Sequence, residues 1–239
     1  MTAVRTDIRV DTPPGAPFRG DLPGWIGGAG ALGFTATVVA QNILRASAPA
    51  NGASPHEVVT YYADHRAITF VLAATYVMGA IAMAMFLGGA MRRWLAGSRL
   101  GWTVVGSVGA VGILAVFAVV VGTDQALSVV ATHNTADVGA VEALWALHHS
   151  AFTVLDVWIA IALVGLAKAG VASGITPRVF ERLALVGAGL LLVACAAGPA
   201  IAAGDAMPLF SMGGLGFIVW LGFLVSTGVR SVRDGRVDA

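Results

Sequence analysis

Residues 101–122, GWTVVGSVGAVGILAVFAVVVG, decide the fold because they form a long apolar run without a charged side chain. At 1.5 Å of rise per residue, a helix over this run is about 33 Å long, which matches the ~30 Å hydrocarbon layer of a bilayer. The run therefore predicts a transmembrane helix.

The composition of the chain agrees with that prediction. Of its 239 residues, 57% are hydrophobic and 11% are charged, and the mean hydropathy is +0.83. An ordinary soluble domain has roughly 25% charged residues, so a soluble globular protein is excluded. The single cysteine, Cys195, excludes a disulfide framework, a cysteine-based zinc site and an iron–sulfur cluster. A net charge of +1 without a basic cluster argues against a nucleic-acid partner.

Similar apolar stretches recur along the chain, and we predict an all-α polytopic membrane helix bundle with six transmembrane helices. These spans cover approximately residues 24–44, 66–91, 101–122, 140–167, 179–203 and 210–229. They form one domain over 24–229, between tails at 1–23 and 230–239, with outer segments at about 45–65, 123–139 and 204–209.

A helix-start signal precedes the second span. Ser54 is a capping residue, Pro55 suits the first helical position, and Glu57 completes a capping box. We expect this helix to begin at Pro55, to project from the membrane and to enter it near Arg66.

The basic residues predict the orientation, since Lys and Arg near helix ends are retained in the cytoplasm. Of the 14 basic residues, only Arg45 and Arg66 fall on the side opposite the other twelve. Both termini are therefore expected to be cytoplasmic, in a plasma-membrane protein. The histidines and most remaining acidic groups then lie on the outer side.

The fourth span carries the sharpest functional signal. Glu142, His149 and Asp156 are spaced by seven, so they follow one helical face with a drift of about 20° per step. Trp145 lies on the same side, whereas His148 is rotated by about 100°. An ionised Asp156 near mid-membrane costs at least ~2.5 kcal/mol, so it must be neutral, paired or facing a wet cavity. A hydrogen bond from a protonated Asp156 to a neighbouring helix is the structural alternative.

A second group of polar residues lies where the second span enters the membrane. Tyr62, Asp64, His65 and Arg66 stand together in the segment YYADHR, residues 61–66. Arg66 can pair with Asp64, with Glu142 or with a lipid phosphate. The tyrosines suit an aromatic belt equally well. With Trp145 and His148, these four residues are the candidate ligand-binding set.

Metal and haem sites have weaker support in the sequence. Zinc held by His133, His149 and an acidic residue remains open. Bis-histidine haem is disfavoured, because the other spans have no histidine in their membrane-embedded parts. The sequence names no cofactor.

The segments NGAS (51–54), YYADHR (61–66) and LWALHHSAF (144–152) resemble small multi-pass membrane proteins of unknown function of actinobacterial type. The resemblance extends over most of the chain and implies six membrane helices. It implies no reaction and no catalytic residue.

Three classes of function remain open. The first is a binding protein whose outward polar cavity, on the second and fourth spans, holds a lipid, a quinone-like molecule or a metal-bearing ligand. The second is an intramembrane enzyme acting on a lipid or isoprenoid, with Asp156 or Glu142 as general acid or base, His149 as proton relay and Arg66 on a phosphate. The third is an accessory subunit of a larger membrane complex.

Overall fold

A computed structural model of the chain describes residues 23–96, 100–132, 137–202 and 205–235. These residues contain no strand and form eight helices: α1 Gly24–Leu44, α2 Pro55–Asp64, α3 Arg66–Ala96, α4 Leu100–Ala131, α5 Val138–Ala172, α6 Phe180–Ala196, α7 Gly198–Ala202 and α8 Met207–Gly235. The predicted all-α bundle is confirmed.

Four helices are long and apolar enough to cross a membrane. The candidate spans are Arg66–Met91, Leu100–Ala131, Val138–Ala172 and Pro208–Asp234. α1 has 21 residues and α6 has 17, and neither is among these four spans. Large apolar side chains such as Phe70, Val108 and Ile218 are exposed, which suits contact with lipid tails that are themselves apolar. These four helices indicate a membrane protein.

α5 lies at the centre of the bundle. It packs along α4 on one side and against α6 on another, and it also contacts α8, while α1 packs between α3 and α8. The core between these helices holds large side chains that are almost fully buried, among them Trp94, Trp220, Phe86 and Leu163. The bundle thus places the middle of α5 among several neighbouring helices.

Glycines allow α4 and α5 to come close together. A Cβ added to Gly106 would lie 2.6 Å from the backbone nitrogen of Leu166, and one added to Gly109 would lie 2.7 Å from the Cα of Ala162. Small residues at such contacts let membrane helices gain van der Waals packing that larger side chains would prevent.

The predicted continuous helix from Pro55 through Arg66 is wrong, because the chain turns at His65. The capping box is present: Ser54 Oγ accepts a hydrogen bond from the Glu57 backbone N–H, and Glu57 accepts one from the Ser54 N–H. The helix ends at Asp64, since His65 has φ −112° and ψ 28°. α2 buries Val58 and Tyr62 in a separate small core with α4 and α5. This packing accounts for α2 being a helix separate from α3.

Two other boundaries differ from the prediction. The outer connection predicted over 123–139 is shorter, because α4 continues to Ala131 and buries Leu127 and Ser128. The span predicted over 179–203 is two helices, α6 and α7. Pro199 has no N–H to donate to the carbonyl four residues earlier, which interrupts the helix there.

Candidate functional site

Four polar side chains from different parts of the chain meet inside the bundle, and we call them the Asp124 cluster: Arg45, Tyr62, Asp124 and His148. The Arg45 guanidinium lies 2.6 Å from Asp124 Oδ2. The Tyr62 hydroxyl donates a 2.6 Å hydrogen bond to Asp124 Oδ1, and His148 Nδ1 lies 3.4 Å from the same oxygen. Asp124 and Tyr62 are each only 2% exposed.

The positions of these side chains follow from the helix ends and crossings. Arg45 is the C-cap residue of α1, Tyr62 is on the buried face of α2, and α4 and α5 supply Asp124 and His148. Gln41 extends the network, because its carbonyl accepts from Arg45 at 3.3 Å and its amide donates to the Thr75 hydroxyl at 3.0 Å. The cluster therefore links α1, α2, α4 and α5, with α3 attached through Thr75.

Burial controls the chemistry of Tyr62. Desolvation, and secondly the negative charge of Asp124, raise the pKa of Tyr62 well above its usual range. The hydroxyl therefore stays protonated and continues to donate to the carboxylate. Trp145 stacks on His148 with ring centroids 5.2 Å apart and meets Tyr62 edge-on at 6.2 Å, so aromatic side chains enclose the network.

The space beside the Asp124 cluster is too small for an organic ligand. Its cavity measures about 10 Å³ and is bordered by Arg45, Tyr61, His65 and Thr69. That volume corresponds to about one water molecule. The cluster is thus a closed ion-pair network.

A larger cavity lies around Asp156, and exposed residues such as Phe210 and Asn42 leave it partly open to the outside of the bundle. It has a volume of about 340 Å³, which falls within the size range of small-molecule sites. We call it the Asp156 cavity. Its lining is mainly aliphatic and aromatic and comes from α1, α4, α5, α7 and α8; the aromatic members are Phe34, Phe117, Phe152, Phe210, Phe217 and Trp220.

Asp156 presents an unpaired carboxyl group to this cavity. The group forms no hydrogen bond or ion pair with any residue that the structure describes. Gly213 of α8 stands opposite, where an added Cβ would come within 3.2 Å of Asp156 Oδ2. Asp156 is among the residues that line the cavity, and the α8 backbone passes close to its carboxyl group at Gly213.

Aromatic rings separate the Asp156 cavity from the Asp124 cluster. The Arg45 guanidinium carbon lies 5.5 Å from the Phe117 ring centroid and 5.7 Å from that of Phe152. His148 also contacts Phe152, with centroids 5.1 Å apart. Both phenylalanines line the cavity. Arg45 and His148 of the Asp124 cluster therefore pack against the outer side of two lining residues.

The structure divides the residues of the predicted polar face on the fourth span. Glu142 is exposed, and His149 is partly buried with its Nε2 atom lacking a hydrogen-bond partner among the described residues. Asp156 lines the Asp156 cavity, whereas Glu142 and His149 do not. The structure therefore does not bring the three proposed catalytic groups together.

The predicted ligand-binding set is divided as well. Tyr62, Trp145 and His148 meet at the Asp124 cluster, whereas Asp64 and Arg66 are exposed. His65 stacks on Tyr61 at 4.4 Å and borders the small cavity. His148, predicted to point away from the polar face of its helix, is the histidine that contacts a buried carboxylate.

A metal centre finds no support among the described residues. His133 lies outside them, so the predicted pairing of His133 with His149 is not described. Within the described ranges, no group of three His, Cys, Asp or Glu side chains is close enough to hold a metal ion.

The sequence does not point to Arg45 and Asp124 as partners in a buried cluster, although the structure pairs them. The sequence predicts an outer connection at Asp124, and Arg45 bears there only on the orientation of the chain. A signal was present, because Asp124 interrupts an apolar run that continues helically to residue 131, and a buried carboxylate there requires a cation.

Comparison with protein-family models, with curated proteins and with solved structures found no match for this chain.

Proposed function

We propose that this protein is a plasma-membrane binding protein that holds a small hydrophobic ligand in the Asp156 cavity. In this proposal α1 and α6–α7 join the four candidate spans, which makes six, and both termini are cytoplasmic. The single observation that carries the proposal is an apolar cavity of about 340 Å³ with one unpaired carboxyl group in its lining.

The lining supports an organic ligand more than a water-filled space. Pockets for small molecules are mainly apolar and use a few polar groups to fix orientation. Here aromatic and aliphatic side chains form most of the surface, and Asp156 supplies the orienting group. A membrane-embedded carboxyl that faces such a cavity is a functional-site candidate by default.

The proposed ligand site differs in place from the polar cavity expected on the second and fourth spans. Among the polar residues expected there, Asp64, Arg66 and Glu142 are exposed, whereas Tyr62 and His148 contact Asp124 in the Asp124 cluster. The Asp124 cluster therefore holds α1, α4 and α5 together beside the Asp156 cavity, and the ligand takes the apolar space that these three helices line with α7 and α8.

Two glycine substitutions test the proposal. Gly214 lines the cavity and Gly189 does not, and an added Cβ meets no atom within 4 Å at either position. Gly214→Leu therefore adds a large side chain at the cavity lining without a clash at its Cβ, and Gly189→Leu on α6 is the matched control. We expect native mass spectrometry of protein released from its own membranes to show one bound small molecule in the wild type and in Gly189→Leu.

The same experiment on Gly214→Leu is expected to show loss of that molecule. Identical bound species in all three proteins would contradict the proposal, because the ligand would then lie outside the Asp156 cavity. Protein that is free of small molecules in all three samples would also contradict it.

A further inference from the structure

We infer that the Asp156 cavity selects a lipophilic monocation, an organic ammonium or phosphonium group that carries apolar substituents. This inference rests on the proposed function, because it names the chemical class of the ligand in the same cavity. Its basis is the charge and π-electron character of the lining.

The first argument is charge. Of the described residues that line the cavity, Asp156 alone has an ionisable side chain. The positive group adjoining the cavity wall is Arg45, and its guanidinium is already paired with Asp124 behind the rings of Phe117 and Phe152. An aspartate in the membrane interior is neutral, paired or faces a wet cavity, and a cationic ligand is a pairing partner that would favour the ionised form.

The second argument is the ring content. Six of the described lining residues are aromatic. Aromatic faces carry negative electrostatic potential and attract cations within about 6 Å of the ring centroid, an interaction worth about 2 kcal/mol or more when it is desolvated. A quaternary ammonium or phosphonium group needs no hydrogen-bond acceptor, so rings and one carboxylate are sufficient to recognise it.

The third argument is the shortage of hydrogen-bond donors. The Thr153 hydroxyl donates to the Ser150 carbonyl at 2.9 Å, and the Asn42 amide donates to the Val38 carbonyl at 2.9 Å. Both residues line the cavity, and these bonds turn the Thr153 hydroxyl donor and one of the two Asn42 N–H donors back to their own helices. Recognition of an anion or of a carbonyl-rich ligand needs several hydrogen-bond donors that point at it, and the cavity has few.

Two probes of nearly identical shape and opposite charge provide the test. Binding of tetraphenylphosphonium and of tetraphenylborate to the full-length protein in a neutral detergent is measured by equilibrium dialysis. Binding to protein-free micelles is subtracted. A neutral alkyl naphthoquinone is measured in the same way. The variants are Asp156→Asn and, as the matched control on α5, Glu142→Gln, since Glu142 is exposed and does not line the cavity.

We expect the wild type and Glu142→Gln to bind tetraphenylphosphonium at least about tenfold more tightly than tetraphenylborate. We expect Asp156→Asn to lose that preference. Because the comparison of the two probes on the wild type needs no variant, a folding defect in Asp156→Asn does not decide the result.

The other outcomes separate the two proposals. Equal or tighter binding of tetraphenylborate overturns the cation inference. Binding of the neutral quinone without binding of the cation also overturns it and leaves the proposed function standing. Failure of all three probes to bind overturns both the cation inference and the proposed function.

Discussion

At the residue scale, the pair formed by Arg45 and Asp124 has the largest consequence for stability. Removal of one partner of a buried ion pair leaves the other charge desolvated without compensation. We therefore expect Asp124→Ala to lower the free energy of unfolding by about 3–5 kcal/mol, measured by denaturant unfolding in detergent. Joint replacement with Arg45→Met and Asp124→Leu should recover much of this loss, since neither charge then remains.

The exposed pair between Arg93 and Asp234 is the control. Its atoms lie 3.5 Å apart, with side chains 28% and 54% exposed. Such pairs are worth at most about 1 kcal/mol, so Asp234→Ala should have a small effect. Equal losses for Asp124→Ala and Asp234→Ala would contradict the buried network.

Tyr62 predicts a specific dependence of stability on pH. Its pKa is raised in the folded protein by burial and by the charge of Asp124, whereas the unfolded chain ionises near the usual value of about 10. The stabilisation is therefore complete below pH ~10 and is lost as the pH rises above it, because unfolding releases a proton there. Melting temperatures measured from about pH 8 to 11 should fall more steeply for the wild type than for Tyr62→Phe. Parallel curves would show that the hydroxyl is not buried against a carboxylate.

Sequence reasoning identified several of the important residues and missed the contacts between them. Asp156, Tyr62, Trp145 and His148 stood out because polar or aromatic groups are conspicuous in apolar helices. The partner relations are tertiary: Arg45 and Asp124 are 79 residues apart. Helical periodicity shows which residues share a face of one helix. It does not show which face of another helix packs against that face.

At the element scale, the close approach of α4 and α5 depends on Gly106. An added Cβ there would lie 2.6 Å from the Leu166 backbone nitrogen, whereas Gly122, on the same helix, has no atom within 4 Å of an added Cβ. Gly106→Ala should lower the free energy of unfolding by about 1–3 kcal/mol, the usual cost of overpacking. Gly122→Ala should be neutral or stabilising by up to about 1 kcal/mol through helix propensity.

Thermal unfolding of the two single variants, measured side by side, checks this expectation. A neutral Gly106→Ala would mean that α4 and α5 are farther apart than the structure places them.

The helices themselves were largely predictable, because long apolar runs and capping signals are local properties. The start of α2 at Pro55 and the start of α1 at Gly24 agree with the sequence. The break at His65 and the continuation of α4 to Ala131 do not. Both depend on the packing of Val58 and Tyr62 against Leu127 and Trp145, which is a contact between separate elements.

At the scale of the whole molecule, the orientation in the membrane is open to direct test. The end of the bundle near Ser47 should be outside the cell and the end near Val179 inside, since Lys and Arg concentrate at the latter end. Both residues are exposed. In a Cys195→Ala background, a membrane-impermeant maleimide applied to intact cells should label Ser47→Cys and should leave Val179→Cys unlabelled until the cells are broken. The reverse pattern would invert the topology.

The Asp156 cavity is also a property of the whole molecule, since α1, α4, α5, α7 and α8 all contribute to its lining. Composition and periodicity predicted a polar, functional Asp156 in the middle of a helix. They could not predict that aromatic residues from several helices would surround it, because that arrangement depends on how the helices are ordered in the bundle.

The most direct test of ligand binding in the Asp156 cavity is an electron-density map from crystals of protein purified gently from its own membranes. We predict non-protein density between Phe152 and Phe217, with one end close to the carboxyl group of Asp156. Helices α5 and α8 closed tightly around Asp156, with no space between their side chains, would contradict the account.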